Sequence, residues 1–437
     1  MPNVLLISYL FPPGAGIGSP RALSYARYLP ELGCRVFVLA PRYATTAQND
    51  PLLLSLVPAA VKVYRAFNPE VPYRFRDRLW KKVAPPRMAR EVAVSESQVT
   101  WGKPWKRVLR SAIQRVASPD VQVGWAHFAA SMACRLIPRH NIDSVLLNIP
   151  PYSSMKIGVR IKQLFPHVRL ISDIRDDWLG YYLPLFDSAA SEHKRSLAVR
   201  LERQLIECSD FVSAVTPAQR CAIRERYADQ PEEKFIVTPN GYSPERFEGF
   251  SPRRHDFDGM VVTYFGSVYV NPVYSPKAYL DAIDSLPENI RRRIETRFIG
   301  RVAPEASSLL QNRQAPVRQL GFMPQTKGLR YLEESDYLLL IARDPGTHAG
   351  KLFDYLPTGK PILAVTPPGG EIARMLENTK TGWVLPEDPA RLRQAILEAY
   401  ERWNRGSLAV APDREAIQAY AWPNLVAGLA RQTQLCG

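Results

Sequence analysis

Cysteine is scarce in this chain of 437 residues, and the five present (Cys34, Cys134, Cys208, Cys221, Cys436) are scattered and odd in number. That spacing excludes a dense disulfide framework and the paired ligands of structural zinc, and it predicts unpaired thiols in a reducing compartment. Long hydrophobic runs are missing too. No stretch approaches the roughly 18 apolar residues that a membrane-spanning helix needs. Met1 leads through Pro2 and Asn3 into a short strand-like run, so no secretory leader is expected. Acid is in short supply, with 42 Asp and Glu against 57 Lys and Arg, a formal net charge of +15. At 46% hydrophobic and 23% charged residues the composition is that of a globular protein, which excludes wholesale disorder. The length suggests two or three domains, each able to build a core. A cytoplasmic, basic, multidomain protein is the expectation, and its charge calls for a partner.

The excess charge is concentrated. Between Val71 and Arg115 twelve basic residues stand against three acidic ones, a net of +9. Trp80, Trp101 and Trp105 are interleaved there with Lys81, Lys82, Lys106 and Arg107. Aromatics among cations suit an anionic membrane surface or single-stranded nucleic acid. No nucleic-acid-binding signature accompanies them, so nucleic acid is not expected and a membrane surface is favoured. Each basic residue near an anionic leaflet is worth about 1 kcal/mol. The plainer alternative is a solvated helical insertion whose aromatics pack on the domain beneath.

Along the chain, Asn3 to Tyr9 reads as a buried parallel strand that ends in a Pro- and Gly-rich loop. Ser19 and Pro20 look like the N-cap and first position of a helix, and a strand follows at Arg35 to Ala40. Strand, glycine loop, helix and strand make a βαβ unit. Strands are predicted again at 145–149, 168–173, 211–215 and 235–238, with a helix at 153–165. A stretch without periodicity, 240–260, reads as a linker. The alternation then restarts with strands at 261–265, 297–299, 317–320, 337–341 and 361–365, and with helices from Lys277, Leu352 and Gly370. Two successive doubly wound α/β halves follow: an N-terminal Rossmann-like domain (1–245) carrying the basic insertion (71–118), and a C-terminal one (246–412). A helical tail (413–437) is expected to pack back on the first domain. Ligands of such sheets bind outside the carboxyl ends of the strands, which predicts a cleft between two facing domains.

Four motifs, in order, carry a family resemblance: the run from Tyr9 through Phe11-Pro-Pro-Gly-Ala-Gly-Ile-Gly18 to Arg21; Pro150-Pro-Tyr-Ser-Ser154 with Asp173-Ile-Arg-Asp-Asp-Trp178; Thr238-Pro-Asn-Gly241 with Arg246-Phe247; and Lys351-Leu-Phe-Asp-Tyr-Leu-Pro-Thr-Gly359. The chain resembles glycosyltransferase family four, in a branch that builds the bacterial cell envelope. The resemblance implies a GT-B fold and a retaining, metal-independent transfer of a sugar from a nucleotide diphosphate sugar. The acceptor would be a glycan or a lipid-linked hydroxyl. No cofactor is implied, the nucleotide sugar being a substrate, and neither the nucleotide nor the oligomeric state is specified.

The residues support this reading in their own right. Gly14, Gly16 and Gly18 lie where backbone amides can approach an anion, and Gly266-Ser267 repeats that arrangement in the second half. Either loop alone reads equally well as a tight βα turn. Asp354 stands where the family carries a Glu that accepts from the donor ribose hydroxyls, although a carboxylate near a helix N-terminus also suits the dipole. The family's second Glu is replaced here by Gly346, and the usual Arg of the first loop by Ser267. Positive charge for the diphosphate must then come from Lys351, whose backbone N–H also belongs to a helix start, or from Arg301. His348, Leu352 and Phe322 complete the candidate donor set. Asp173 and Asp176, held by Arg175, are the candidate catalytic carboxylates, orienting or deprotonating the acceptor hydroxyl. A surface ion-pair cluster is their plainer alternative. Two other functions fit the same frame: a nucleotide-sugar 2-epimerase, and a non-catalytic nucleotide-sugar-binding subunit.

Overall fold

The computed structural model describes residues 1–15, 18–43, 48–49, 52–69, 119–186, 192–271, 273–346, 348–408 and 410–436. The basic stretch with Trp80, Lys81, Lys82, Trp101, Trp105, Lys106 and Arg107 lies outside the described residues, as does Gly16. The described residues divide into two units, Met1–Pro239 with Leu425–Gly437, and Asn240–Asn424. The tail expected at 413–437 therefore divides between them.

In the first unit, near-continuous apolar runs form seven parallel strands: β1 (Asn3–Ile7), β2 (Arg35–Pro41), β3 (Lys62–Ala66), β4 (Ser144–Ile149), β5 (Arg169–Ile174), β6 (Phe211–Ala214) and β7 (Phe235–Val237), in the order β3-β2-β1-β4-β5-β6-β7. The second unit has β8 (Met260–Phe265), β9 (Ile294–Ile299), β10 (Val317–Gly321), β11 (Tyr337–Ile341), β12 (Ile362–Val365) and β13 (Gly382–Leu385), in the order β10-β9-β8-β11-β12-β13. Both are doubly wound sheets. Their order reverses beside the first strand, between β1 and β4 and between β8 and β11.

Burial on both faces explains why the central strands lack polar alternation, whereas the edge strands β3 and β10 keep exposed polar residues. Along β11, Tyr337, Leu339 and Ile341 enter one hydrophobic cluster, while Leu338 and Leu340 enter another on the opposite face. Leu5 and Ile7 of β1 pack with Val145 and Leu147 of β4 in the core of the first unit.

Helix α1 (Ser19–Tyr28) corrects one expectation. Gly18 occupies its N-cap position, and the Ser19 hydroxyl donates to the Gly14 carbonyl at 2.6 Å instead of capping. The other helices used below are α2 (Met155–Leu164), α3 (Pro217–Arg226), α4 (Leu352–Tyr355), α5 (Glu371–Thr379) and α6 (Trp422–Thr433). α4 is a single turn, continued by a 3-10 turn at Leu356–Thr358.

The expectation of unpaired thiols is also corrected. Cys34 and Cys436 form a disulfide across 402 residues, with Cα atoms 5.7 Å apart. The tail after α6 brings Cys436 to Cys34, just before β2, and the Arg169 guanidinium at the start of β5 donates to the Gln434 carbonyl at 2.6 Å. Chain spacing cannot show such a pair, because only the folded path brings the ends within bridging distance. The cysteine count therefore carries no argument about compartment.

Candidate functional site

In the first unit, residues at the carboxyl ends of β1, β4 and β5 surround a small open pocket, lined by Ser8, Gly18, Arg21, Asn148, Asp173 and Arg175 among others. This is the switch point, where an open α/β sheet binds ligands. Here the three carboxylates of Asp173-Ile-Arg-Asp-Asp177 separate, each to its own arginine. Arg21, from α1, reaches Asp173 through Nε at 2.7 Å and Nη2 at 2.6 Å, with both side chains 2% exposed or less. The same guanidinium donates to the carbonyls of Thr238 and Pro239, each at 2.8 Å. Arg175 holds Asp176 through Nε at 3.1 Å and Nη2 at 2.7 Å. Arg226 of α3 clasps Asp177 at 3.0 and 2.7 Å, and Asp177 in turn accepts the Gly180 amide at 3.0 Å.

The expectation that Arg175 holds both Asp173 and Asp176 is thus corrected. Arg21, on another element, satisfies Asp173 in a fully buried pair. Asp176 is the open one, its side chain 39% exposed. Gly18 has a steric reason. A Cβ there would lie 2.0 Å from Arg175 Nη1 and 2.5 Å from Leu10 Cδ1, so only glycine lets that guanidinium lie against the loop.

In the second unit the corresponding point follows β8. Gly266 continues the ladder by donating to Ile299 at 2.8 Å, and Gly300 sits against it. With a φ of +143°, and with Gly266 O only 2.3 Å from where a Cβ would be, Gly300 admits no side chain. Lys351, just before α4, extends its ammonium to the Tyr264 hydroxyl and over that ring, 3.7 Å from its centroid. Tyr264 passes the contact on by donating to the Ser267 carbonyl at 3.1 Å. A Cβ on Gly266 would meet Lys351 Nζ at 3.3 Å, so the ammonium lies directly against the glycine turn. Burial lowers this lysine to about 7, with no carboxylate opposing the effect. The structure thus brings Gly266, Ser267 and Lys351 together through Tyr264, a residue the sequence reading missed. Because α4 is one turn long, what Lys351 presents here is its ammonium and not the N-terminus of an extended helix.

Asp354, three residues on, faces Arg246, whose Nη2 is 3.7 Å from Oδ1. Leu352 points into the core. The His348 side chain is buried with neither ring nitrogen hydrogen-bonded among the described residues, and Nε2 is 4.0 Å from Glu371 Oε2 at the start of α5. Burial lowers this histidine to about 4, so the ring is neutral at physiological pH. Arg301 stacks on Phe322 at 5.0 Å, and Phe322 is 57% exposed. Among the described residues, no group of three or more His, Cys, Asp or Glu side chains is placed to hold a metal ion.

No protein-family model matches the chain, and no curated protein sequence matches it. Solved structures do. The chain is similar to Alr3699/HepE of Anabaena in complex with UDP-glucose, at 14% identity and a TM-score of 0.60, covering 99% of each chain. It is similar to WaaG, a glycosyltransferase involved in lipopolysaccharide biosynthesis, at 14% identity and 0.53, covering 99% of this chain and 96% of that one. The catalytic domain of starch synthase IV from Arabidopsis thaliana, bound to ADP and acarbose, matches at 10% identity and 0.59, covering 99% and 98%. At such identities the likeness establishes the fold. The protein has the two-domain, Rossmann-like GT-B fold.

Proposed function

We propose that this protein is a glycosyltransferase that moves a sugar from a nucleotide diphosphate sugar to an acceptor hydroxyl. The observation that carries the reading is Lys351, a half-buried, poorly solvated lysine with no carboxylate partner among the described residues, set against the Gly266 turn at the switch point of the second sheet. Such a charge is poorly solvated and is completed by a bound anion. In the transfer, the bond from the anomeric carbon to the diphosphate oxygen breaks, and its electron pair goes to the diphosphate. The acceptor oxygen bonds to that carbon and gives up its proton. Lys351 offsets the negative charge that grows on the leaving group. Asp354 receives the ribose hydroxyls. Asp176, the exposed carboxylate beside the first unit's cavity, orients the acceptor hydroxyl and takes its proton. Asp173 has a supporting role, since its pair with Arg21 fixes the Thr238-Pro239 backbone.

The finer features follow the family resemblance: retention of configuration, no metal requirement, and a lipid-linked or nascent polysaccharide acceptor at an anionic membrane surface contacted by the 71–118 stretch. The UDP-glucose bound to HepE and the lipopolysaccharide glycosyltransferase activity of WaaG support the coarser reading of a nucleotide-sugar donor and glycosyl transfer. Calorimetry with UDP and GDP tests the donor site. Lys351→Met is expected to weaken the bound nucleotide about tenfold or more, a loss of about 1.4 kcal/mol at the least. Unchanged affinity in that variant would remove Lys351 from the site.

A further inference from the structure

At the end of β4 the first unit's pocket meets a buried polar atom that the fold leaves unsatisfied. Asn148 lies in register with Asp173 of β5 and lines the pocket. The residue is 8% exposed, and its Oδ1 is buried without a hydrogen-bond partner among the described residues. Ser8, just past β1, decides which end of the amide this is. The Ser8 hydroxyl gives its proton to the Leu10 carbonyl at 3.0 Å, so towards Asn148 it has only a lone pair to offer. The Nδ2 end faces that lone pair at 3.5 Å, because Oδ1 in its place would be repelled. Oδ1 is thus the acceptor left to the pocket, and a buried acceptor of this kind calls for a partner.

The charges around it are balanced. Arg21 is paired with Asp173 and Arg175 with Asp176, two cations against two carboxylates. Neither guanidinium needs an anion to complete it, as Lys351 does, so the pocket suits an uncharged ligand. Arg175 uses Nε and Nη2 on Asp176, while its Nη1 lies against Gly18, so a donor stands in the same pocket as the Asn148 acceptor. Leu10, Ile149 and Pro150 add an apolar wall. An acceptor, a donor and an apolar wall match a hydroxyl carried on a carbon ring. The pocket is too small for the ring itself and takes one substituent of it. Resting on the glycosyl-transfer reading above, we propose that Asn148 is a specificity-determining residue: its Oδ1 accepts a hydrogen bond from one hydroxyl of an uncharged sugar, either the acceptor or the sugar being transferred.

The test has two arms, both on the full chain. In the first, methyl glycosides of glucose, galactose, mannose and N-acetylglucosamine, with their monodeoxy analogues, are titrated by ligand-observed NMR. Asn148→Leu is expected to weaken the best-bound glycoside about tenfold and to leave the analogue lacking the recognised hydroxyl unchanged, because only that hydroxyl reaches Oδ1. A merely structural role would weaken both. In the second arm UDP- and GDP-sugars are compared with UDP and GDP by calorimetry. A hydroxyl of the transferred sugar makes Asn148→Leu weaken the nucleotide sugar about tenfold and spare the bare nucleotide. Should Asn148→Leu fail to fold, Asn148→Ser, whose side chain is too short to reach the hydroxyl, makes both comparisons. Equal losses for a sugar and its deoxy or sugar-free counterpart, or no loss in either arm, would overturn the role of Asn148. A wild-type protein that binds neither nucleotide would bring down the nucleotide-sugar reading itself, an outcome distinct from an unaltered Asn148 variant.

Discussion

Lys351 and Asp173 show how differently two buried charges can be settled. Lys351 has no carboxylate beside it among the described residues, so burial brings it to about 7, and on the proposed reading a diphosphate bound there would restore the ammonium. The complex then holds more protons than the free protein. Donor affinity is expected to be level below pH 7 and to fall as pH rises above it, by up to tenfold per unit until the bound-state value is reached. Calorimetry across pH 6 to 9 checks this, with Lys351→Met showing no such slope. Asp173 is settled by Arg21, and breaking one side leaves a buried charge. Arg21→Met is expected to destabilise the protein by about 3–5 kcal/mol in urea unfolding, and Arg21→Met with Asp173→Leu by much less. At this scale the sequence is only half legible. Asp173-Ile-Arg-Asp-Asp177 announces a charge cluster, but the partners Arg21 and Arg226 lie far along the chain, and only the packing of α1 and α3 against the end of β5 brings them to it. Lys351 is legible as a cation before a donor-site carboxylate. The Tyr264 hydroxyl that ties it to Ser267 is not, since a tyrosine in a buried strand reads as core.

Among the elements, the strands are the most legible part, because burial on both faces leaves a plain apolar run. Strand β11 lies at Tyr337–Ile341, as its composition alone predicts. The helix from Leu352 is less so. Its core residues are clear, but Pro357 and Gly359 reduce it to one α turn and one 3-10 turn. Gly300 between β9 and β10 is a backbone requirement. Gly300→Ala is expected to destabilise the second unit and weaken nucleotide binding together, because its methyl group displaces Gly266. The Cys34–Cys436 bridge was illegible for the opposite reason, since its two cysteines lie 402 residues apart and meet only in the folded chain. Cys436→Ser is expected to lower stability by about 3–5 kcal/mol under oxidising conditions, with urea unfolding of that variant insensitive to reductant.

For the whole molecule, one strand order is used twice, and each switch point carries its own charge arrangement: a carboxylate left open by its arginine in the first unit, a lysine without a carboxylate in the second. The two doubly wound halves were legible because each restarts with a strand, a glycine turn and a helix, whereas the strand order and the edge strands β3 and β13 were not. The charge balance adds location to chemistry, with +9 of the formal +15 between Val71 and Arg115. Replacing Lys81, Lys82, Lys106 and Arg107 by Gln is expected to release the protein from anionic vesicles in a sedimentation assay, each cation contributing about 1 kcal/mol. The most direct measurement is turnover of the donor. The protein is incubated with a panel of UDP-, GDP- and dTDP-sugars, with and without membrane extract, and free nucleoside diphosphate is followed. Release from one donor only when the extract supplies an acceptor, and its loss in Lys351→Met, is the expected result. Equal release without any acceptor would indicate an epimerase or hydrolase, and no release from any donor would indicate a binding subunit; either contradicts a glycosyltransferase.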